Sequence, residues 1–184
     1  MRISFGHVTG SKSYPLTRDE IRSVVTMLAD DVAIAIVEIR YICSMHGYQL
    51  GRVVSRASGA TITINFCTSG GVSQLLSRRR RYLDEIHACG GVVNLESGDV
   101  LWPSDSAKKY AVYVLAHEIG HLAYAKKYGN NRLDGRHKGG GEEKWCDAYA
   151  EATVARFEKD VLRRARNGSG GGMRSSFSGA TKRG

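Results

Sequence analysis

Two histidines four residues apart enclose a glutamate in the run His117-Glu-Ile-Gly-His121. In a helix, residues at i and i+4 lie one turn apart on the same face. Both imidazoles can then reach one metal ion, with Glu118 beside a water bound to it. The chemistry open to such a trio is hydrolysis. Zinc lowers the pKa of its water to about 7, and a carboxylate accepts the proton at neutral pH. A catalytic zinc has three protein ligands and one open position, so a third ligand is sought downstream. Glu143 is favoured, within Glu143-Lys-Trp-Cys-Asp147-Ala-Tyr-Ala150. Asp147 shares its helical face and can accept the ring N–H of a ligand histidine, which fixes the tautomer. His137, in a polar, glycine-rich loop 16 positions past His121, is the alternative third ligand. It is otherwise a donor to the substrate oxyanion, a role that a nearby tyrosine can also fill. Glu142 is a further option for the metal.

These residues need two helices to position them. The first is predicted from Ser104 or Ser106, just after Pro103, to about Tyr128, where Gly129-Asn-Asn131 stops it. Its buried stripe is read as Tyr110, Val114, Leu115, Leu122 and Ala125. The second starts near Glu142 and runs to Arg166. Upstream, the capping-box spacing of Thr17 and Glu20 predicts a helix over Thr17 to Asp30, with Ile21, Val24, Val25 and Leu28 facing inward. Val32 to Ile42 is β-branched and reads as a buried strand, and Thr61 to Phe66 alternates as a half-buried one. After the break at Gly70-Gly71, a helix is predicted over Gln74 to Ala88. Val92–Leu95 and Val100–Trp102 are short strands. The expected fold is α+β: a small, mainly antiparallel sheet packed on the active-site helix, followed by a ligand-bearing helix. Residues 1–166 are expected to form one domain and 167–184 a disordered Gly/Ser/Arg tail.

The chain has 184 residues, 42% hydrophobic and 24% charged, an ordinary soluble composition with enough length to bury a core unaided. Its net charge of +9 is unevenly placed: +6 follows Asp160, Arg78–Arg81 supplies +4, and the rest of the body carries −1. Arg78, Arg79, Arg80 and Arg81 are expected mostly on the exposed side of their helix. With the tail, they are candidate contacts to nucleic-acid phosphates. Phe177 is the only aromatic residue of the tail, which gives little for base stacking. No apolar run is long enough for a bilayer, and MRISFGHVTG lacks the apolar segment and cleavage site of a secretory signal. A cytoplasmic location without membrane contact is therefore expected. Cys43, Cys67, Cys89 and Cys146 are then reduced thiols, most of them in the core.

The two motifs resemble those of zincin metallopeptidases of the gluzincin branch, and are most similar to the ImmA/IrrE-type peptidases and other minimal HExxH domains. The matching pieces are Tyr113-Val-Leu-Ala-His-Glu-Ile-Gly-His121, then Glu143 followed by Cys146, Asp147, Tyr149 and Ala150. The resemblance spans about Ile62 to Phe157. The Leu-Leu-Met-Pro-like stretch often found next in that family is replaced by Glu151-Ala-Thr-Val-Ala-Arg156. It implies a zincin-like fold, one zinc ion per chain on His117, His121 and Glu143, Glu118 as general base, and a protein or peptide substrate. A rival resemblance, to SprT-like proteases acting on proteins near or attached to DNA, implies His137 as third ligand. The basic tail suits it, while Lys138-Gly-Gly-Gly141 before Trp145 makes its fit looser. A third reading is a non-catalytic zinc-containing module that binds nucleic acid or regulates a partner.

Overall fold

The computed structural model describes residues 1–32, 34–43, 50–75, 80–103, 105–129 and 140–168. In chain order the elements are β1 (Arg2–Phe5), β2 (Lys12–Ser13), α1 (Arg18–Leu28), β3 (Ile36–Ile42), β4 (Gly51–Arg56), β5 (Gly59–Asn65), β6 (Thr68–Ser69), β7 (Val72–Gln74), α2 (Arg80–Ala88), β8 (Val92–Asn94), β9 (Asp99–Leu101), α3 (Ser106–Tyr128) and α4 (Gly140–Gly168). The fold is α+β, with four α-helices among the described residues and mixed strand directions.

α1 begins where its capping box places it. Thr17 Oγ1 accepts the Glu20 amide at 3.2 Å, and the Thr17 amide donates to Glu20 Oε2 at 2.8 Å. Ile21, Val24 and Leu28 are buried on its inner face. The other oxygen of Glu20 accepts Lys108 Nζ of α3 at 2.8 Å, which ties the two helices together.

The expectation of one small, mainly antiparallel sheet is corrected. Among the described residues there are two sheets. The first, ordered β1-β3-β5-β4, has β1/β3 and β3/β5 parallel and only β4/β5 antiparallel. The second, β2-β6-β7-β9-β8, is antiparallel throughout. β1 and β3 run parallel because α1 lies in their connection, and a crossover of that length returns the chain in the same direction; β5 runs parallel to β3 because the intervening β4 runs the opposite way on the outer edge. β3 is also half-buried rather than buried: Ile39 and Tyr41 point into the core, while Val37 and Arg40 face outward. Val72–Gln74, whose last residue is expected to open this helix, is instead a strand beside β9, and α2 is described over Arg80–Ala88. Of the basic run, Arg78 and Arg79 lie outside the described residues.

Ile39, Tyr41, Ile62 and Ile64 of the first sheet meet Ile21, Val24 and Leu28 of α1 and Leu115 and Ile119 of α3 in one core. Phe66, Trp102 and Tyr110 join the second sheet to α3, with Trp102 stacked on Tyr110 at 4.8 Å. The N-cap position of α3 is Asp105 rather than Ser106, without a side-chain capping bond, and the helix ends at Gly129 with φ of 70°; Ser104 lies outside the described residues. Every residue from Tyr110 to Ala123 is buried, so the expected stripe gives way to a helix enclosed all round. Ala125, placed in that stripe, is only half-buried.

α4 packs along α3, and Gly120 sets how closely. A Cβ at Gly120 would stand 3.3 Å from Cys146 Cα, Cys146 Sγ and a ring carbon of Tyr149. The bare α-carbon therefore lets the α4 backbone approach the motif. α4 continues through Gly168, two residues into the expected tail; 169–184 lie outside the described residues.

The expectation of reduced thiols is corrected at two positions. Cys43 and Cys67, just beyond β3 and β5, form a disulfide. The parallel pairing of these strands brings Ile42 opposite Asn65 and so carries both cysteines to the same end of the sheet. Cys89 and Cys146 are buried free thiols. No helix among the described residues is long and apolar enough to cross a membrane.

Candidate metal centre

The middle of α3 presents His117, Glu118 and His121 to one point, with potential ligand atoms all within 4.8 Å of one another. His121 is 1% exposed, Glu118 5% and His117 9%. The first turn of α4 supplies the complement. Glu143 Oε2 lies 3.6 Å from His117 Nε2, and Glu143 Oε1 lies 3.8 Å from His121 Nε2. Both rings thus turn their Nε2 atoms toward one carboxylate.

The opposite ring nitrogens are held by two other acids. Asp147 Oδ1 lies 2.9 Å from His117 Nδ1, and Glu142 Oε1 lies 2.7 Å from His121 Nδ1. A carboxylate at Nδ1 holds a proton there and leaves the Nε2 lone pair to a metal. Burial works against a charged His117, yet Asp147 and Glu143 outweigh it and push its pKa up to about 9. In the same pair, burial opposes the carboxylate of Asp147, but His117 and Arg81 hold it below its ordinary value. A ring so stabilised as a cation is one where a metal ion competes with a proton.

Glu118 is seated differently. It packs against the backbone of β4, where a Cβ on Gly51 would come within 2.5 Å of Glu118 Oε1 and 2.6 Å of its Cγ. Only a glycine leaves room for that carboxylate. β4 is also the outer strand of its sheet.

Among the residues singled out by sequence, the structure brings His117, Glu118, His121, Glu143 and Asp147 together. Glu142, read as an optional metal ligand, faces the rear nitrogen of His121 instead. Adjacent positions on a helix point about 100° apart, so Glu142 and Glu143 address opposite sides of one imidazole. His137 lies outside the described residues. The tyrosines nearest the motifs are engaged elsewhere: Tyr113 donates to Asp147 Oδ1 at 3.1 Å and Tyr149 to Asp31 Oδ2 at 2.6 Å.

The basic run divides. Arg80 is outward, its side chain 94% exposed and 3.8 Å from Asp84. Arg81, expected as a nucleic-acid contact, reaches toward the acids of α4 with its side chain 40% exposed. Its Nη1 donates to Glu143 Oε2 at 2.7 Å, its Nη2 to Asp147 Oδ1 at 2.7 Å, and its Nε to Glu85 Oε1 at 3.0 Å. Burial acts against the Arg81 charge, but Glu143 and Asp147 raise its pKa further still. Sequence reasoning missed Arg81 and Gly51 as parts of this centre. For Arg81 the one local sign was Glu85 four residues on; Gly51 left none.

The geometry is that of two imidazoles and one carboxylate converging at a helix crossing, with a further carboxylate alongside. No protein-family model, no curated protein and no solved structure matches this chain, so the likeness to metallopeptidases stands on the residues of the two motifs.

Proposed function

We propose that the chain is a zinc-dependent metallopeptidase with a zincin-like active site, in which His117, His121 and Glu143 hold the metal and Glu118 moves the proton. The observation that carries this reading is the convergence of the two Nε2 atoms on Glu143, each ring backed by its own carboxylate. The 3.6 and 3.8 Å separations suit a tetrahedral zinc site, whose ligand atoms stand about 3.4 Å apart. Two imidazole nitrogens and one carboxylate oxygen also suit zinc by donor type.

Zinc bound there supplies a water acidified to a pKa of about 7 and polarises the carbonyl to be attacked. The chain's own residues do the rest. Asp147 and Glu142 keep the rings in the ligating tautomer. Glu118 accepts a proton on its carboxylate and returns it to the leaving amine. An extended peptide pairing with the outer edge of β4 runs past this carboxylate at Gly51. The choice of a peptide bond rests on the resemblance of the two motifs to peptidases.

Glu118→Gln tests the reading. The variant is expected to keep one zinc ion per chain by metal analysis, while cleavage of a casein or peptide-library substrate falls at least about 100-fold. An unchanged cleavage rate, or a wild-type protein that binds no zinc, would overturn it.

A further inference from the structure

The least expected side chain in the centre is Arg81. It belongs to α2, yet its two terminal nitrogens reach two acids on α4, Glu143 and Asp147, which lie one turn apart on the same face. One is the proposed metal ligand, and the other holds the rear nitrogen of His117. A planar guanidinium offers parallel donors whose spacing matches two neighbouring carboxylate oxygens, whereas an ammonium is a single point charge. The third donor, Nε, is taken by Glu85 of its own helix at 3.0 Å, which fixes the plane of the fork. Glu143 and Asp147 side chains are only 17% and 22% exposed, so these are not fully solvated surface pairs.

We infer that Arg81 is a positioning residue of the metal centre, a forked clamp that aims the Glu143 carboxylate at the two Nε2 atoms and presses Asp147 onto His117. This rests on the proposed metal site and says how that site is held ready. Four acids, Glu118, Glu142, Glu143 and Asp147, crowd around two imidazoles. Without a fixed cation between them, mutual repulsion favours side-chain orientations in which Glu143 turns away. Arg81 supplies that cation from outside the ligand set, so the ligating geometry exists before the metal arrives.

The test is metal affinity, measured on the full chain with Zn²⁺ against a chromophoric chelator, together with the visible spectrum of the Co²⁺-substituted protein. Arg81→Gln is expected to weaken Zn²⁺ binding about 10- to 100-fold, the usual effect of removing a partner that orients a ligand, and to alter the Co²⁺ bands. Arg81→Lys keeps the charge without the fork and is expected to fall between. Arg80→Gln, on the outward neighbour, is expected to match the wild type. Wild-type affinity and spectrum in Arg81→Gln overturn the clamp, as does an equal loss in Arg80→Gln. Full rescue by lysine overturns the forked geometry. Wild-type protein that binds no Zn²⁺ instead overturns the metal site itself, so the two failures are distinguishable. Should Arg81→Gln fail to fold, the lysine variant alone decides.

Discussion

The missing side chain at Gly51 makes the room in which the Glu118 carboxylate sits. A Cβ at position 51 would meet the Glu118 carboxylate and its Cγ closer than van der Waals contact allows. Gly51→Ala is therefore expected to displace Glu118 while leaving the proposed ligands His117, His121 and Glu143 in place. A displacement of about 1 Å at a reacting group can cost about 100-fold in rate, so a fall of about 10- to 100-fold in kcat/KM with unchanged zinc content is expected; an unaltered rate contradicts the placement. Glu85 makes a second prediction at this scale. Burial raises its carboxyl from the ordinary 4.5 to about 7, against the lowering effect of Arg81. The folded chain then holds a proton between those pH values that the unfolded chain has lost, so this group's contribution to stability falls as pH rises through that window. Urea denaturation of Glu85→Gln across pH 4.5 to 7 is expected to show the variant gaining on the wild type as pH rises. A constant difference contradicts the shift.

The crossing of α3 and α4 is the element-scale device that turns two distant motifs into one centre. It depends on Gly120, the residue inside the histidine pair that lets Cys146 of α4 come close. Gly120→Val puts branched methyls against the α4 backbone. A loss of about 1–3 kcal/mol is expected by chemical denaturation, as for overpacked cores, together with weaker zinc binding as Glu143 is pushed away. Stability and affinity equal to the wild type would contradict the close approach. Both helices were legible in the sequence, because their signals are local: Pro103 before one, Gly129 after it, acidic residues at the head of the other. The strands were less so. β1 and β2 are short and take their identity from partners far along the chain, as when Arg2 pairs with Glu38 and Lys12 with Ser69. Direction within a sheet is a property of the connection rather than of the strand, which is why the parallel pairs were read as antiparallel. Arg81 escaped for the same reason. Its partners, Glu143 and Asp147, lie more than 60 residues away.

At the scale of the whole molecule, one core gathers residues from Ile3 on β1 to Phe157 on α4, and the Cys43–Cys67 disulfide ties the ends of β3 and β5 beside the strand that backs Glu118. Alkylation under denaturing, non-reducing conditions is expected to label two cysteines, Cys89 and Cys146, and four after reduction. Replacing both Cys43 and Cys67 by Ala is expected to cost about 2–4 kcal/mol of stability. Four labelled thiols before reduction contradict the pairing. The basic run is also divided: Arg81 pairs with Glu143 and Asp147 of α4, whereas Arg80 stands out into solvent beside Asp84. All of this is arranged around one point, and locating a metal at that point is the most direct test. Anomalous diffraction at the zinc edge from crystals of the full chain is expected to show one ion per chain, about 2.0–2.2 Å from His117 Nε2, His121 Nε2 and a Glu143 oxygen, with Glu118 beside it and unligated. A protein that takes up no zinc, or an ion held without His117, His121 and Glu143, would contradict the proposed centre.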